Sequence, residues 1–370
     1  MELYAPYQSF FTLLRAGLWN REPDCDGFPL SSDEWKQVYM WACKQTVEGI
    51  VYDGIMRLPD RLFPPKDVLL NWVVKVDSIE KRNLRMNKVI SELYNLFALH
   101  QIAVRLVKGQ GVAACYDNPS HRVCGDIDWY FTDKKQFNSA NKLIRERGIS
   151  IEKQAKFSRS YVWKGFVVEH HSRLLDIDNP FCIPYMRRLL QSESASSMQL
   201  NLNNQQIALP SPLLTHSSVN AHILKHLLTS GVGIRQLCDS ARVYKAYHQQ
   251  IEPDALKKMY RKLGILRWIQ LLNSLLVNHL GMPEDYLPFP VASNQQPGRM
   301  MNDVLQGGNF GLYGGPASKS TDAPQMQKKT WLHWIERLIR YIRYVHYAPA
   351  EACWNPVIVV YSHCKNWFVS

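Results

Sequence analysis

The chain has 370 residues, 46% hydrophobic and 21% charged, a balance that excludes wholesale disorder and predicts one large globular domain or two ordinary ones. Its 44 basic and 32 acidic side chains give a formal net charge of +12, which favours a polyanionic partner such as a nucleotide, a nucleic acid or an acidic surface. None of the eight cysteines forms a C-x-x-C pair, so no structural zinc site is predicted.

The amino terminus lacks the basic start and the small-residue cleavage site of a signal peptide. No segment has the long uncharged apolar run that a transmembrane helix needs. We therefore expect a cytoplasmic protein without a transmembrane segment.

Residues 1–100 are predicted to be helical. Ser31 to Glu34 are typical of a helix start, with Ser or Asp as the cap. The stretch from Lys66 to Leu99 has apolar residues at helical spacing in its later half. Its polar face carries basic side chains, among them Arg82. A solvated face is the simpler interpretation, and a basic wall beside a bound nucleotide is the alternative.

The segment from Val107 to Phe131 carries the chemistry. It reads as a strand, a glycine turn at Lys108-Gly109-Gln110-Gly111, a short helix, a loop and a second strand containing Asp126-Ile127-Asp128. Side chains at i and i+2 share a strand face, so Asp126 and Asp128 point the same way. Two adjacent carboxylates repel each other unless a cation lies between them, and their hard oxygens favour Mg²⁺.

Glycine turns let backbone N–H groups approach an anion closely, and Lys108 and Arg122 add positive charge at the two ends of this segment. A phosphate-binding turn followed by a metal-binding strand suits phosphoryl or nucleotidyl transfer, because that chemistry depends on positioning and charge neutralisation.

The order Lys108-Gly109, Arg122 and Gly125-Asp126-Ile127-Asp128 resembles the DNA polymerase beta-like nucleotidyltransferase superfamily. Within it, the pattern is most similar to an uncharacterised bacterial branch whose sequences read LKG, then R, then DIDLLV. Gln110 departs from the usual signature, which has a small Gly or Ser there. The gap to Asp126 is longer than the usual signature allows, but it matches the bacterial branch.

The resemblance implies a third carboxylate followed by His on a later strand. Glu169 fits this place, and it would share a strand face with His171. The competing candidates are Asp176 and Asp178. They run directly into Asn179-Pro180, where a turn or a helix entry is expected.

The grouping of elements predicts an α+β fold. The resemblance implies a small mixed-sheet nucleotidyltransferase core, embedded between N-terminal and C-terminal helical regions. The core spans 101–190, with a helix over 133–146 and strands near 149–153, 161–163 and 166–170. The polar stretch 191–206 is predicted to be a linker, and 210–290 to be helical. The Gly/Pro/Gln-rich residues 291–330 are predicted to form a loop, and 331–370 an amphipathic helix and tail.

Two residue pairs in the C-terminal helical region have i,i+4 spacing. His222 and His226 have the spacing of two metal ligands on one helix face, although core or hydrogen-bonded histidines are the simpler interpretation. Arg235 and Asp239 are expected to form a helix-surface ion pair.

The resemblance implies an Mg²⁺- or Mn²⁺-dependent nucleotidyltransferase. Asp126, Asp128 and Glu169 would be the metal ligands and catalytic groups. The nucleotide-binding residues would be Lys108, Gly109, Gln110 and Arg122. The enzyme would move NMP from an NTP, with ATP the expected donor, to an acceptor hydroxyl and release pyrophosphate.

The acceptor is expected to be a small molecule or a protein rather than a long nucleic acid, because the chain has no second dense basic-aromatic block. The alternative is a catalytically inactive binding or regulatory protein with the nucleotidyltransferase fold. A kinase-like phosphotransferase would release ADP instead, but the kinase catalytic-loop motif is absent from the sequence.

Overall fold

The computed structural model describes residues 5–155, 157–291, 297–308 and 330–367. Within these ranges the chain forms fourteen α-helices and seven strands, which confirms the α+β class. The helices are α1 (Ala5–Trp19), α2 (Ser32–Gln45), α3 (Glu48–Ile55), α4 (Lys66–Leu99), α5 (Gly109–Ala113), α6 (Lys134–Glu146), α7 (Ile183–Ser192), α8 (Pro212–Thr229), α9 (Ile234–Tyr247), α10 (Pro253–Lys262), α11 (Leu266–Leu280), α12 (Pro297–Gly307), α13 (Thr330–Tyr344) and α14 (Pro349–Trp367). The strands are β1 (Arg105–Val107), β2 (Ile127–Tyr130), β3 (Glu152–Ala155), β4 (Ser158–Trp163), β5 (Phe166–His171), β6 (Met198–Leu202) and β7 (Gln205–Leu209).

The described residues divide into two compact units, neither of which is continuous in sequence. The first unit lies within 1–174, 192–217 and 238–247, and the second within 175–191, 218–237 and 248–370. All seven strands belong to the first unit. Helices α8 and α9 each have residues in both units.

The first unit contains a five-stranded sheet in the order β1-β2-β5-β4-β3. Strand β2 runs parallel to β5, and the other neighbouring pairs are antiparallel. In this register Asp128 pairs with Glu169, while Trp129 pairs with His170. The mixed sheet therefore has its parallel pair at its centre, and the acidic residues of both strands lie at the same level.

The core of the first unit packs against one face of this sheet. Trp129 on β2 and Val168 on β5 are completely buried on this face, and along β5 buried residues alternate with more exposed ones, as strand periodicity requires. The ring of Phe97 on α4 packs edge-on against Trp129 and Phe131, and Phe131 also contacts Phe137 on α6. Aromatic residues of two helices thus fix the sheet from one side, which leaves the opposite face of β2 and β5 for polar residues.

The stretch 191–206, predicted to be a linker, is partly a hairpin. Strands β6 and β7 pair antiparallel around Asn203 and Asn204, whose φ angles are +50° and +62°. Asparagine tolerates positive φ better than other non-glycine residues, and two such residues make the tight turn that twisted strands prefer. Ile207 and Leu209 then pack into the core. The abundance of Ser and Asn concealed the alternating apolar residues on both sides of the turn.

Two helix starts follow the sequence prediction. Ser31 caps α2, and its backbone N–H donates back to Glu34, so the two residues form a capping box. Asp133 caps α6 by accepting from the backbone N–H of Gln136 at 2.8 Å.

The second unit is helical in its described part. Trp268 on α11 donates through Nε1 to the carbonyl of Asn220 at 3.2 Å, and the Asn220 amide donates to the Tyr260 hydroxyl at 3.0 Å. These bonds satisfy the polar atoms of large side chains buried among α8, α10 and α11.

The region 291–330, predicted to be a loop, contains helix α12, and residues 309–329 lie outside the described ranges. The buried residues of α12 are Met300, Met301 and Val304, which have helical spacing that its glycine-rich surroundings obscured. The predicted helix at 331 is present as α13, and Ile335, Leu338 and Ile342 on it are exposed. No helix in the described ranges is both long enough and apolar enough to span a membrane.

Helices α1 and α3 approach each other at glycines. A Cβ built on Gly17 would lie 1.8 Å from the Ile50 carbonyl oxygen. We expect Gly17→Ala to force the helices apart and to lower the free energy of unfolding by at least the ~1–3 kcal/mol typical of overpacking. Urea denaturation followed by circular dichroism measures this change.

Gly298→Ala is the matched control. No described atom lies within 4 Å of a Cβ at Gly298, and the residue is at the start of a helix. This change is expected to be neutral or to stabilise by up to ~1 kcal/mol. Equal urea midpoints for the two variants would contradict the close approach of α1 and α3.

Candidate active site

Asp128 and Glu169 lie side by side on the polar face of the parallel pair. Two residues after Glu169, His171 returns to the same face. The His171 Nε2 atom lies 2.6 Å from Asp128 Oδ1 and 3.3 Å from Glu169 Oε2. One ligand atom from each of the three residues lies within 4.8 Å of the others, so this group could hold a metal ion. We name Asp128, Glu169 and His171 the β2–β5 cluster.

The β2–β5 cluster combines deep burial with partial access. Asp128 is only 1% exposed, whereas the side chains of Glu169 and His171 are 23% and 15% exposed. A buried carboxylate is costly unless cations or hydrogen-bond donors compensate it. The cluster offers two carboxylates and one imidazole, which is a set of donors that suits a divalent ion bound at an open site.

Lys108 approaches the cluster from the end of β1. Its Nζ lies 3.1 Å from Asp128 Oδ1, so Lys108 and His171 share that oxygen. The Lys108 backbone has φ +51° and ψ −145°, a conformation that side-chain-bearing residues avoid at a cost of about 1–3 kcal/mol. Such strain persists where the surrounding structure holds it, and here it aims the ammonium group at the acidic pair.

Gly109 lets the turn after Lys108 pass close to β2. Its φ is +33°, and a Cβ at this position would lie 3.1 Å from the Asp126 carbonyl oxygen. A side chain would therefore crowd the strand entry. The glycine brings the backbone of the turn next to the strand that carries Asp128.

The two adjacent histidines have opposite environments. Burial and the charge of Lys108 oppose protonation of His171, but the hydrogen bonds to Asp128 and Glu169 and the Asp128 charge outweigh them and raise its pKa. His170 points into the core, where burial, reinforced by the charge of His171, lowers its pKa to about 3. Its Nε2 lies 2.9 Å from the Tyr161 hydroxyl, so it is a neutral structural group.

Gln110 is turned away from the cluster. Its buried Nε2 donates to Asn83 Oδ1 at 3.0 Å. The Asn83 amide in turn donates to the carbonyl oxygens of Ser120 and Arg122, at 2.7 and 2.9 Å. One asparagine on α4 thus connects the glycine turn to the loop that leads into β2.

Arg122 is buried and held by Asp239 on α9. Its Nε and a terminal nitrogen donate to the two carboxylate oxygens at 2.9 and 2.6 Å. Asp239 also accepts from the Tyr116 hydroxyl at 2.8 Å. This geometry corrects the expected surface pairing of Asp239 with Arg235, because Asp239 is buried. It also engages the guanidinium that we expected to face phosphate.

Two further residues secure the loop before β2. Arg82 on α4, expected on a solvated face, donates to the carbonyl of Gly125 at 3.0 Å and lies over the Phe166 ring. His121 is bracketed by two acids, with Nδ1 2.7 Å from Asp53 and Nε2 2.9 Å from Glu80.

The structure brings together some of the predicted site residues. Lys108, Asp128 and Glu169 converge, whereas Asp126, one residue before β2, is outside the three-residue metal group found among the described residues. Of the competing acids, Asp176 contacts His222 and Lys225 in the second unit. Asp178 accepts from Asn355 in the same unit. The metal role of Asp126 stays a prediction.

Sequence reasoning missed several residues that support the site. His171 was assigned to the right strand face but to no function, although Glu-x-His at strand spacing was a usable signal. Asn83, Asp239 and His121 carried no local signal, because their partners are distant in sequence.

The profile of a protein family described as "Uncharacterised nucleotidyltransferase" matches residues 31–281, which is more than half of the chain. The chain belongs to this family. The matched range contains Lys108, the β2–β5 cluster and the Arg122–Asp239 pair.

No curated protein sequence matches the chain. Among solved structures, it is similar to an antigenic nucleotidyltransferase-like protein from Paracoccidioides brasiliensis, with 17% sequence identity and a TM-score of 0.32. The match covers 53% of this chain and 92% of that one.

The Arg122–Asp239 pair yields a stability prediction. Asp239→Asn keeps the shape of the side chain but leaves the Arg122 guanidinium buried without its counter-charge. We expect the free energy of unfolding to fall by about 3–5 kcal/mol. The control is Asp77→Asn, which breaks an exposed pair with Lys81 and is expected to cost no more than ~1 kcal/mol. Similar urea midpoints for the two variants would show that the buried pair is not needed.

His121 yields a pH prediction. Burial opposes its protonation, but the hydrogen bonds and charges of Asp53 and Glu80 outweigh burial and raise its pKa in the folded protein. The protonated ring therefore stabilises the fold below its unfolded pKa of about 6.5, and this stabilisation is lost as pH rises through the folded pKa.

We expect the stability difference between wild type and His121→Gln to be largest below the unfolded pKa of about 6.5 and to shrink as pH rises through the folded pKa. Urea denaturation across pH measures this difference. A difference that does not change with pH would mean that His121 stays neutral.

Proposed function

We propose that this uncharacterised nucleotidyltransferase moves an NMP group from an NTP to an acceptor hydroxyl in a reaction that needs Mg²⁺ or Mn²⁺. The observation that carries the proposal is the β2–β5 cluster, in which Asp128 and Glu169 stand beside each other with Lys108 at one side. Two adjacent carboxylates and a lysine aimed at them fit a site for a divalent ion and a polyphosphate.

Asp128 and Glu169 would hold the ion, with Asp126 as a further ligand. A divalent ion at this position would neutralise phosphate charge and make an oxygen nucleophile more acidic. His171 would act from its place beside both carboxylates, either by donating to Asp128 or by supplying a nitrogen ligand. An imidazole in the donor set makes Mn²⁺ a better fit than Mg²⁺ by coordination preference.

Lys108 would pair with the phosphates of the NTP, and the backbone around Gly109 would allow them to approach β2. Glu169 would accept the proton of the acceptor hydroxyl. The hydroxyl oxygen then forms a bond to the α-phosphorus while the bond from that phosphorus to the bridging oxygen breaks. Pyrophosphate leaves with the electron pair of that bond.

Arg122 and Gln110 take positioning roles in this proposal. Asp239 engages the Arg122 guanidinium, and Asn83 engages the Gln110 amide. Both residues would hold the loop and the turn that place Asp126 and Lys108. Phosphate contacts would fall to Lys108 and the backbone of the glycine turn.

ATP is the donor we expect, and a small molecule or a protein hydroxyl the acceptor. The rival function is a binding or regulatory protein that keeps the site without turnover. The acidic pair favours the enzyme, because two carboxylates at neighbouring register positions repel each other and are costly in a fold that does not use them.

Calorimetry with each of the four NTPs, with and without Mg²⁺ or Mn²⁺, tests the site. We expect metal-dependent binding to wild type and its loss in the Asp128→Asn, Glu169→Gln double variant. Removal of ligand atoms should weaken binding by more than the ~10–100-fold typical of changes around a metal site. Asp77→Asn, at an exposed ion pair, should bind as wild type does.

Product analysis then separates the functions. Release of pyrophosphate, with an NMP adduct on the protein or on an added hydroxyl acceptor, supports the nucleotidyltransferase. Release of ADP would identify a kinase-like reaction. Binding without turnover over a broad panel of acceptors would support the regulatory alternative, and absence of NTP binding to folded wild type would overturn the proposal.

A further inference from the structure

His222 and His226, one turn apart on α8 in the second unit, point the same ring atom at each other. Their Nε2 atoms lie 2.9 Å apart, and the rings meet edge to face with centroids 4.3 Å apart. Side chains four residues apart share a helix face, so the backbone brings the two rings together. We name these residues the α8 histidine pair.

The other nitrogen of each ring has its own partner. His222 Nδ1 lies 2.8 Å from Asp176 Oδ2, and His226 Nδ1 lies 2.9 Å from the Ser230 hydroxyl. A carboxylate only accepts hydrogen bonds, so His222 Nδ1 carries its proton and the lone pair of the neutral ring is on Nε2. This carboxylate–histidine arrangement is the one that orients metal-binding imidazoles in proteins.

The spacing of the two Nε2 atoms suits one metal ion. Nitrogens bound to an ion at ~2.0–2.1 Å lie ~2.9 Å apart at a right angle and ~3.4 Å apart in a tetrahedron. The observed 2.9 Å therefore lies at the short end of this range. Two nitrogens at this distance otherwise share a single proton, and an ion would replace that proton.

We propose that the α8 histidine pair binds a divalent ion of the borderline class, such as Zn²⁺, Ni²⁺ or Cu²⁺, through the two Nε2 atoms. Imidazole nitrogens prefer these ions to Mg²⁺ and Ca²⁺. Asp176 fixes the His222 ring as an outer partner and adds negative charge. Lys225, whose Nζ lies 2.9 Å from Asp176 Oδ1, offsets part of that charge and so limits the affinity.

Within the described ranges, the protein supplies two ligands to this ion. Among the described residues, the α8 histidine pair is not part of any group of three side chains close enough to hold a metal, whereas the β2–β5 cluster is such a group. Water or a small ligand completes the coordination, and the partly exposed side chains of His222 and Asp176 leave room for it. The site is therefore open, as regulatory and catalytic sites are, rather than closed as structural zinc sites are.

Equilibrium dialysis of the full chain against Zn²⁺ tests the proposal. We expect His222→Gln and His226→Gln each to lose a full equivalent of bound Zn²⁺ relative to wild type. His346→Gln is the matched control, because this exposed histidine meets the Tyr347 ring edge to face and is not part of the α8 histidine pair, and it should bind as wild type does. Equal stoichiometry in all four proteins would overturn the proposal.

Electron paramagnetic resonance of the wild-type protein with substoichiometric Cu²⁺ gives a second measurement that needs no variant. The β2–β5 cluster contains one imidazole, so a spectrum with two equivalent imidazole nitrogens identifies the α8 histidine pair. A spectrum that shows one imidazole or none would count against the site. This readout decides the matter even if His222→Gln or His226→Gln does not fold.

Discussion

The parallel register of β2 and β5 is the constraint on which the candidate site depends. It sets the Asp128 carboxylate beside that of Glu169 and returns His171 to the same face two residues later. A shift of either strand by one residue would turn its polar groups into the aromatic core. The hydrophobic effect therefore determines the register, because burial of Trp129 and Val168 on one face of the sheet places Asp128 and Glu169 side by side on the other.

The acids need partners on the chain before any ligand binds. Lys108 and His171 both contact the Asp128 carboxylate, and the Lys108 backbone adopts a strained conformation at this contact. The connections lie beneath the site. Asn83 joins the glycine turn to the loop before β2, and the buried pair of Arg122 with Asp239 ties that loop to α9. Fully bonded buried polar groups specify one arrangement, because each alternative leaves a charge or an amide unsatisfied.

How much of this the sequence predicts depends on the range of each interaction. The α+β class, the cap at Ser31, the helix beginning near Asp133 and the shared face of Glu169 and His171 follow from local spacing, and all are present. The partner of Arg122 does not follow from local spacing, because Asp239 is 117 positions away. Local spacing instead paired Asp239 with Arg235. The hairpin around Asn203 was missed because its polar composition outweighed its alternation of apolar residues. Long-range pairing is decided by packing, which one sequence does not display.

The two candidate ion sites differ in hardness, and this difference bears on how the protein would sort metals. The β2–β5 cluster has mainly carboxylate oxygens, which suit Mg²⁺ and Mn²⁺, but His171 makes it tolerant of Zn²⁺ as well. Zn²⁺ binds most mixed sites more tightly than Mg²⁺ or Mn²⁺, so donor type alone does not protect the cluster from the wrong ion. An all-nitrogen pair such as His222 and His226 prefers borderline ions to Mg²⁺, because imidazole nitrogen is a weak ligand for Mg²⁺. A chain that carries both would offer borderline metals a second, all-nitrogen site that the hard ions do not occupy, although the three-residue acidic cluster would still compete for Zn²⁺.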